Sequence, residues 1–178
     1  EEAVFDMFKQ EWQRQSAVAM PNRIAIVDND PESQFMFLEF ELACQLLQAR
    51  GIDTVILDPS ELEYIDGTLT AHGQTIDMIY NRLVDFAFED PDHVLLKQAY
   101  LEGAVVVTPN PRVHAMLANK QNLTLLSDSQ ILRSWGLDEA AVECLERSVP
   151  RTKIVSRDDA AELWLTRRQL FFKPVAGH

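Results

Sequence analysis

Two short apolar runs constrain what this chain can fold into more than any other feature. Residues 23–28 (RIAIVD) and 53–58 (DTVILD) are rich in β-branched side chains, and a proline follows each run within three residues. Apolar runs of this length that turn residues bound are typical of strands buried on both faces of a parallel sheet. The sequence therefore predicts two parallel strands here.

The residues between these runs predict the helix that connects them. Within residues 31–50, apolar side chains recur three and four positions apart, which is the helical period. Phe35, Leu38, Leu42 and Leu46 would form the buried face, and Gly51 would end the helix. The order strand, helix, strand is the unit from which parallel sheets are built.

The pattern continues with a hairpin and two more strands. Residues 62–65 and 68–71 flank Asp66-Gly67, a dipeptide favoured in two-residue hairpin turns, and His72-Gly73 makes a second turn. Strands over 76–80 and 104–107 and a helix over 91–101, ending near Gly103, follow. The predicted fold class is α/β: a doubly wound, mostly parallel, Rossmann-like sheet of about four strands with an inserted hairpin.

The remaining segments complete the predicted domain organisation. Residues 1–22 predict a leading helix, residues 23–110 the α/β domain, and residues 111–178 linking helices plus the start of an incomplete α+β subdomain. Short helices are predicted over 123–126, 129–135 and 138–147, the last of them capped by Asp138. Strands over 149–155 and 171–175 would flank a helix running from Asp158 to about Arg168.

Charge and composition exclude some classes of function. The net charge is −12 and the isoelectric point is about 4.7, which disfavours a broad interface with nucleic acid. We see no membrane span and no signal peptide, which would need an apolar run of about eighteen residues or a basic leader. Cys44 and Cys144 predict buried free thiols and a cytoplasmic protein. Because the chain opens on Glu1-Glu2 and closes just after a glycine, we expect a piece of a longer protein.

Polar residues follow the predicted parallel strands and form the first candidate site. Asp28, Asn81, Arg82 and Asn110 each lie where a strand ends, and the carboxyl edge of an open α/β sheet is where ligands bind. They are the predicted substrate-binding residues. Asp28 could instead serve a local turn before the helix. The partner of Arg82 could also be an acidic side chain of the following loop: Asp85, Glu89 or Asp90.

Two lysines form the second candidate site. Lys120 lies on the helix predicted after the proline-rich turn TPNP (residues 108–111), and Lys173 ends the last predicted strand, just before Gly177. An ammonium group beside backbone N–H groups suits phosphate oxygens. The simpler alternative for either lysine is a surface side chain whose stem covers a helix.

The order of these motifs adds a resemblance to a known family. TPNP (108–111), Asn119-Lys120, VPRT (149–152) and FFKPVAG (171–177) together resemble the front half of an ATP-grasp ligase. The resemblance implies that Lys120 and Lys173 bind the ATP phosphates and that Gly177 and His178 begin the phosphate lid. It also implies magnesium, with ligands outside this chain.

The resemblance extends to the substrates. The hairpin and YNR (80–82) look like the first domain of glutathione-synthetase-like members, in which an arginine meets a substrate carboxylate. The implied function is an ATP-dependent carboxylate–amine or carboxylate–thiol ligase acting through an acyl phosphate, of which this chain alone would be an inactive part. Small carboxylate and amine substrates are the implied partners, a homodimer is possible, and no catalytic residue is assigned.

Other functions stay open at this point. Asp28, Asp30, Thr108 and Lys173 are placed somewhat like the acidic pocket of a phospho-receiver domain, although Asp58 follows the second strand rather than a central one. An unrelated Rossmann-like domain that binds a sugar or nucleotide is the third alternative. The histidines show no metal-ligand spacing, so no metal site is predicted. There is also no G-x-G-x-x-G after the first strand.

Overall fold

A computed structural model of the chain describes residues 2–175. The chain divides between His114 and Ala115 into two compact units, here called the first unit and the second unit. The fold of the first unit positions the sheet-edge residues, and the second unit carries both candidate lysines.

Two sheets form within the described part of the first unit. Their strands are β1 (Arg23–Val27), β2 (Asp53–Leu57), β3 (Leu62–Ile65), β4 (Thr68–Ala71), β5 (Gln74–Thr75), β6 (Met78–Asn81) and β7 (Val106–Thr108). The main sheet is parallel with the order β2-β1-β6-β7, and β3-β4-β5 form a small antiparallel sheet. The predicted α/β class, the parallel sheet and the inserted hairpin are confirmed.

Helices cover both faces of the main sheet. They are α1 (Glu2–Gln13), α2 (Phe37–Gln48) and α3 (Val94–Leu101). A further helix, α4 (Pro111–Leu117), follows β7 and runs across the division between the units. Phe8 and Trp12 of α1 pack with Leu47 of α2 in one core. Leu96 and Ala99 of α3 pack with the hairpin in a second core. Two cores on opposite faces of one parallel sheet are the doubly wound arrangement.

The buried face predicted for α2 is wrong. Phe40 and Leu47 are the side chains of α2 that reach the core, at 1% and 0% exposure. Phe35 is 97% exposed, Leu38 70% and Leu42 66%. The helix carries two apolar stripes, and helical periodicity does not tell which of two stripes faces the sheet.

The second unit is helical over its described residues, 115–175. It contains the end of α4 and the helices α5 (Asn122–Leu126), α6 (Ser129–Ser134), α7 (Glu139–Ser148) and α8 (Ala160–Thr166). Asp138 caps α7 as predicted, with its side chain accepting the Ala141 N–H at 2.8 Å. At the start of α8 the N-cap position is occupied by Asp159 rather than by the predicted Asp158.

The strands predicted over 149–155 and 171–175 are not formed; both segments are irregular. A strand is stabilised by a hydrogen-bonded neighbour, which neither segment has in the described chain, and each segment contains a proline, Pro150 or Pro174, that has no N–H to donate. Phe171 is 83% exposed, so this apolar segment is not covered within the described chain.

The cysteine prediction fails in part. Cys44 is half-buried on α2, where its Sγ donates to the Thr54 carbonyl at 3.2 Å, but Cys144 on α7 is exposed. The apolar stripe of α7 is short, and of its side chains Val142 is the buried one. Among the described residues, none of the helices combines the length and the apolar character needed to span a bilayer.

Candidate functional site

The carboxyl ends of the parallel strands bring several polar residues to one edge of the main sheet. Asp28 follows β1, Asp58 follows β2, Asn81 and Thr108 end β6 and β7, and Arg82 comes next after β6. Val27 is in register with Leu57 on one side and with Asn81 on the other. This edge is where open α/β sheets bind ligands.

Arg82 is held on the α2 side of the edge. Its Nη1 donates to the Tyr80 hydroxyl at 3.0 Å, and its Nη2 lies 3.4 Å from the Glu39 carboxylate on α2. The guanidinium also lies over the rings of Phe40 and Tyr80, at 5.5 and 5.2 Å. The sequence analysis considered Asp85, Glu89 or Asp90 as the acidic partner of Arg82. The ion pair is formed with Glu39 instead, which α2 brings close to the guanidinium.

Asn81 occupies the centre of the same edge and is 1% exposed. Its Oδ1 accepts the Leu83 N–H at 3.1 Å, while its Nδ2 is buried without a hydrogen-bond partner. The Nε of Arg82 is a second buried donor without a partner. Leaving a buried donor unpaired costs about 1–3 kcal/mol, so an acceptor that reached these two donors would be stabilised by them.

Asp28 and its neighbours form the loop that follows β1. The Asp28 carboxylate accepts the Asn29 N–H at 2.9 Å, and the Asp30 N–H donates to Asp58 at 2.8 Å. Burial raises the pKa of Asp28 above its ordinary value, although the Asn29 hydrogen bond and the positive charge of Arg82 oppose the shift. The local turn considered in the sequence analysis is present, and the half-buried Asp28 carboxyl also experiences the positive charge of Arg82.

The Asp58 carboxylate accepts hydrogen bonds from residues of the neighbouring loops. Its Oδ1 accepts hydrogen bonds from the Ser60 N–H and hydroxyl at 2.9 and 2.6 Å. In return, the Asp58 N–H donates to the Glu61 carboxylate at 2.8 Å. Burial would raise the pKa of Asp58, but the hydrogen bonds from Ser60 and Asp30 outweigh it and lower the pKa. Asp58 is a capping residue of the turn Pro59–Glu61.

His93 is the sheet-edge residue that sequence reasoning missed. It is 2% exposed, with Nδ1 2.8 Å from Asp85 Oδ2 and Nε2 3.1 Å from Asn29 Oδ1. Burial would raise the pKa of Asp85, but bonds from the Asp90 N–H and from His93 lower it. His93 thus ties the loop after β6 to the loop after β1. The sequence Asp90-Pro91-Asp92 could have indicated the position of His93, because an N-cap aspartate followed by proline predicts a helical turn at these residues.

Asn110, the remaining predicted substrate residue, is used by the fold. Its Oδ1 accepts the Arg112 and Val113 N–H groups at 3.0 and 3.2 Å, and the Tyr100 hydroxyl at 3.1 Å. It therefore caps the start of α4 and ties it to α3.

The two lysines lie on irregular segments of the second unit. Lys120 is in the turn between α4 and α5, not on a helix as predicted, because Asn119 accepts the Gln121 N–H at 2.8 Å and sets a local turn. The Lys120 N–H donates to the Val175 carbonyl at 3.3 Å. The Lys173 ammonium lies 5.5 Å from the centroid of the Phe171 ring.

The hydrogen bond from Lys120 to Val175 brings the segments that carry the two lysines together. Gly177 and His178, the other predicted phosphate-binding residues, lie outside the described residues.

Comparisons with known proteins give no family for this chain. No protein-family model matches it, and a search of curated proteins finds no significant match. Over residues 2–175, no group of three or more histidine, cysteine or acidic side chains is arranged to hold a metal ion.

Proposed function

We propose that this chain is the N-terminal part of an ATP-dependent ligase of the ATP-grasp type, which joins a carboxylate to an amine or a thiol. The observation that carries the proposal is the hydrogen bond between the Lys120 N–H and the Val175 carbonyl. It places the Asn119-Lys120 turn beside the segment that contains Lys173. Two lysines far apart in sequence but on adjacent backbone segments suit a polyphosphate.

The distribution of charge supports a phosphate site in the second unit. Residues 1–114 contain 7 basic and 20 acidic side chains, whereas residues 115–178 contain 9 and 8. An anionic nucleotide is repelled by the field of the first unit and not by that of the second. Lys120 and Lys173 would bind and neutralise the phosphate oxygens.

The sheet edge of the first unit would bind the carboxylate substrate. Arg82 presents a cation whose Nε is unpaired, and Asn81 adds an unpaired amide donor. Both are groups that a carboxylate oxygen would satisfy. Glu39 and Tyr80 hold the guanidinium in place before substrate arrives, and such preorganisation lowers the entropy cost of binding.

ATP would supply the phosphoryl group that activates the carboxylate, and magnesium would neutralise the phosphates. The described residues provide no magnesium site, so the proposal assigns those ligands to other parts of a longer protein. The exposed irregular segments 149–155 and 170–175 are apolar enough to become strands once a neighbouring strand pairs with them.

The test uses a reactive ATP analogue in which the γ-phosphate carries an acyl group. A lysine amine near the phosphates attacks the acyl carbon, forms an amide and releases ATP. The full-length gene product is labelled, digested and analysed by mass spectrometry. We expect labels on Lys120 and Lys173 that excess ATP prevents, and none of that kind on Lys153, an exposed lysine of the same unit. Equal labelling of all three lysines, unaffected by ATP, would contradict the proposal.

A non-catalytic ligand-binding domain is the alternative. Its receiver-like form needs a phosphate-accepting carboxylate at the end of a central strand. Of the two central strands, β6 ends on Asn81, and β1 is followed by Asp28, whose carboxylate accepts the Asn29 N–H. The Asp58 carboxylate is engaged by Ser60 and Asp30. Incubation with acetyl phosphate, a small phosphoryl donor, distinguishes the two: a stable aspartyl phosphate would favour the receiver.

A further inference from the structure

Helix α2 has two apolar stripes on opposite sides. Phe40 and Leu47, seven residues apart, face the core. Leu38 and Leu42 lie one turn apart on the opposite side and are exposed, and Phe35, in the turn just before α2, is exposed as well. We call these three side chains the α2 seam.

The seam is more than a scatter of exposed apolar residues. Its three members lie within eight consecutive residues, at the first half of α2 and the turn that precedes it. Single exposed apolar side chains are ordinary, but several large ones clustered together mark an interaction surface. The buried stripe fixes α2 on the sheet, and the seam is therefore presented in one orientation.

We propose that the α2 seam docks an amphipathic helix of another protein, with apolar residues at the same spacing and lysine or arginine beside them. An amphipathic helix binds such a surface by packing its own apolar side chains, spaced three and four residues apart, against it. The inference concerns a different surface from the ATP site and does not depend on the proposed function.

The charges beside the seam select a basic partner. Glu41 is exposed on α2, Glu32 is exposed in the turn Pro31–Ser33 before it, and Glu39 is already paired with Arg82. The cation at the far end of the helix, Arg50, lies 3.7 Å from Glu2. Uncompensated acidic side chains along an apolar row attract a helix that carries the opposite charge and repel one with the same charge.

A second copy of the chain fits less well. Antiparallel packing with Leu38 of one copy on Leu42 of the other centres the contact near residue 40, which brings the two copies of Glu41 together. Two chains of net charge −12 also repel each other. A homodimer through the seam is therefore an outcome that the experiment must be able to detect.

The experiment titrates the 178-residue chain into a fluorescent 21-residue peptide with leucine at the seam positions and lysine beside them. The first control is a scrambled peptide of the same composition. The Leu38→Gln, Leu42→Gln double variant tests the surface, and Leu101→Gln on α3 is the matched control, because Leu101 is also an exposed helical leucine. Circular dichroism checks that each variant folds.

We expect the patterned peptide to bind and the double variant to weaken binding at least about tenfold. Leu101→Gln should leave binding unchanged. If the scrambled peptide bound equally well, general charge attraction would explain the binding and the proposal would be overturned. Sedimentation showing a dimer that the double variant dissociates would overturn it in favour of a second copy.

Discussion

His93 is the residue on which the shape of the sheet edge depends most directly. Its ring joins Asp85 to Asn29 and is almost fully buried. We predict that His93→Ala lowers the free energy of unfolding by about 2–4 kcal/mol, because it leaves a cavity and two polar side chains without their partner. Urea denaturation measures this.

His72→Ala is the matched control for His93→Ala. His72 also lies near a carboxylate, at 3.1 Å from Glu61, but it is exposed, and exposed pairs contribute little. If both variants lost the same small amount of stability, the link between the two loops would not be structural.

Asp28 gives the sheet edge a defined pH dependence. Because burial raises the pKa of Asp28 in the folded state, its ionisation opposes folding once the pH exceeds its ordinary pKa near 4. Asp28→Asn keeps the oxygen that accepts the Asn29 N–H and removes the charge. We predict that it stabilises the chain at pH 7 by roughly a few tenths of a kcal/mol, since solvent screens a half-buried group.

The sign of this effect is testable by urea denaturation from pH 3.5 to 7. The advantage of Asp28→Asn should shrink as the pH falls through the raised pKa toward the ordinary value. Asp58 and Asp85, whose pKa values are lowered, act in the opposite sense: their stabilisation is lost as the pH falls below about 4. An advantage of Asp28→Asn that grew on acidification would contradict the burial of its carboxyl.

At the level of elements, the main strands predicted in the first unit are present, and the two strands predicted in the second unit are not formed. β1 and β2 are apolar runs that pair with each other, so their sequence and their environment agree. Residues 149–155 and 171–175 have the same local signal but no neighbour to pair with in the described chain. Strand formation depends on a partner that a local pattern does not reveal.

We therefore predict fast amide hydrogen exchange over residues 149–155 and 170–175 in the 178-residue chain. Protection follows buried, hydrogen-bonded backbone, which β1 has and these segments lack. In the full-length gene product, the proposed function predicts slower exchange at the same residues, because neighbouring strands would pair with them. Mass spectrometry measures both. Protection equal to that of β1 in the 178-residue chain would contradict the structure of the second unit.

The remaining errors of sequence-based prediction also come from long-range contacts. The position of Arg82 followed from the order of the strands, but its ion pair with Glu39 joins residues 43 positions apart. The helix predicted around Lys120 failed because the Asn119 side chain competes for the local backbone. The buried face of α2 was assigned to the wrong stripe, because both stripes satisfy the same period.

In the whole molecule, an acidic first unit with polar groups at its sheet edge is followed along the chain by a second unit that carries two adjacent lysine segments. We propose that Lys120 and Lys173 bind the phosphates of one nucleotide. Removing either ammonium should weaken binding, since each would contribute a charge-assisted contact worth about 1.5–3 kcal/mol. Lys153 pairs with Asp159 at 3.6 Å and serves as the control.

The most direct test is calorimetric titration of ATP with magnesium into the full-length gene product and its Lys120→Ala, Lys173→Ala and Lys153→Ala variants. We expect a single ATP site, with an affinity that falls about tenfold or more in each of the first two variants and stays unchanged in the third. Circular dichroism should show all variants folded. Absence of ATP binding in the parent protein, or binding by all three variants as tight as that of the parent, would contradict the proposed nucleotide site.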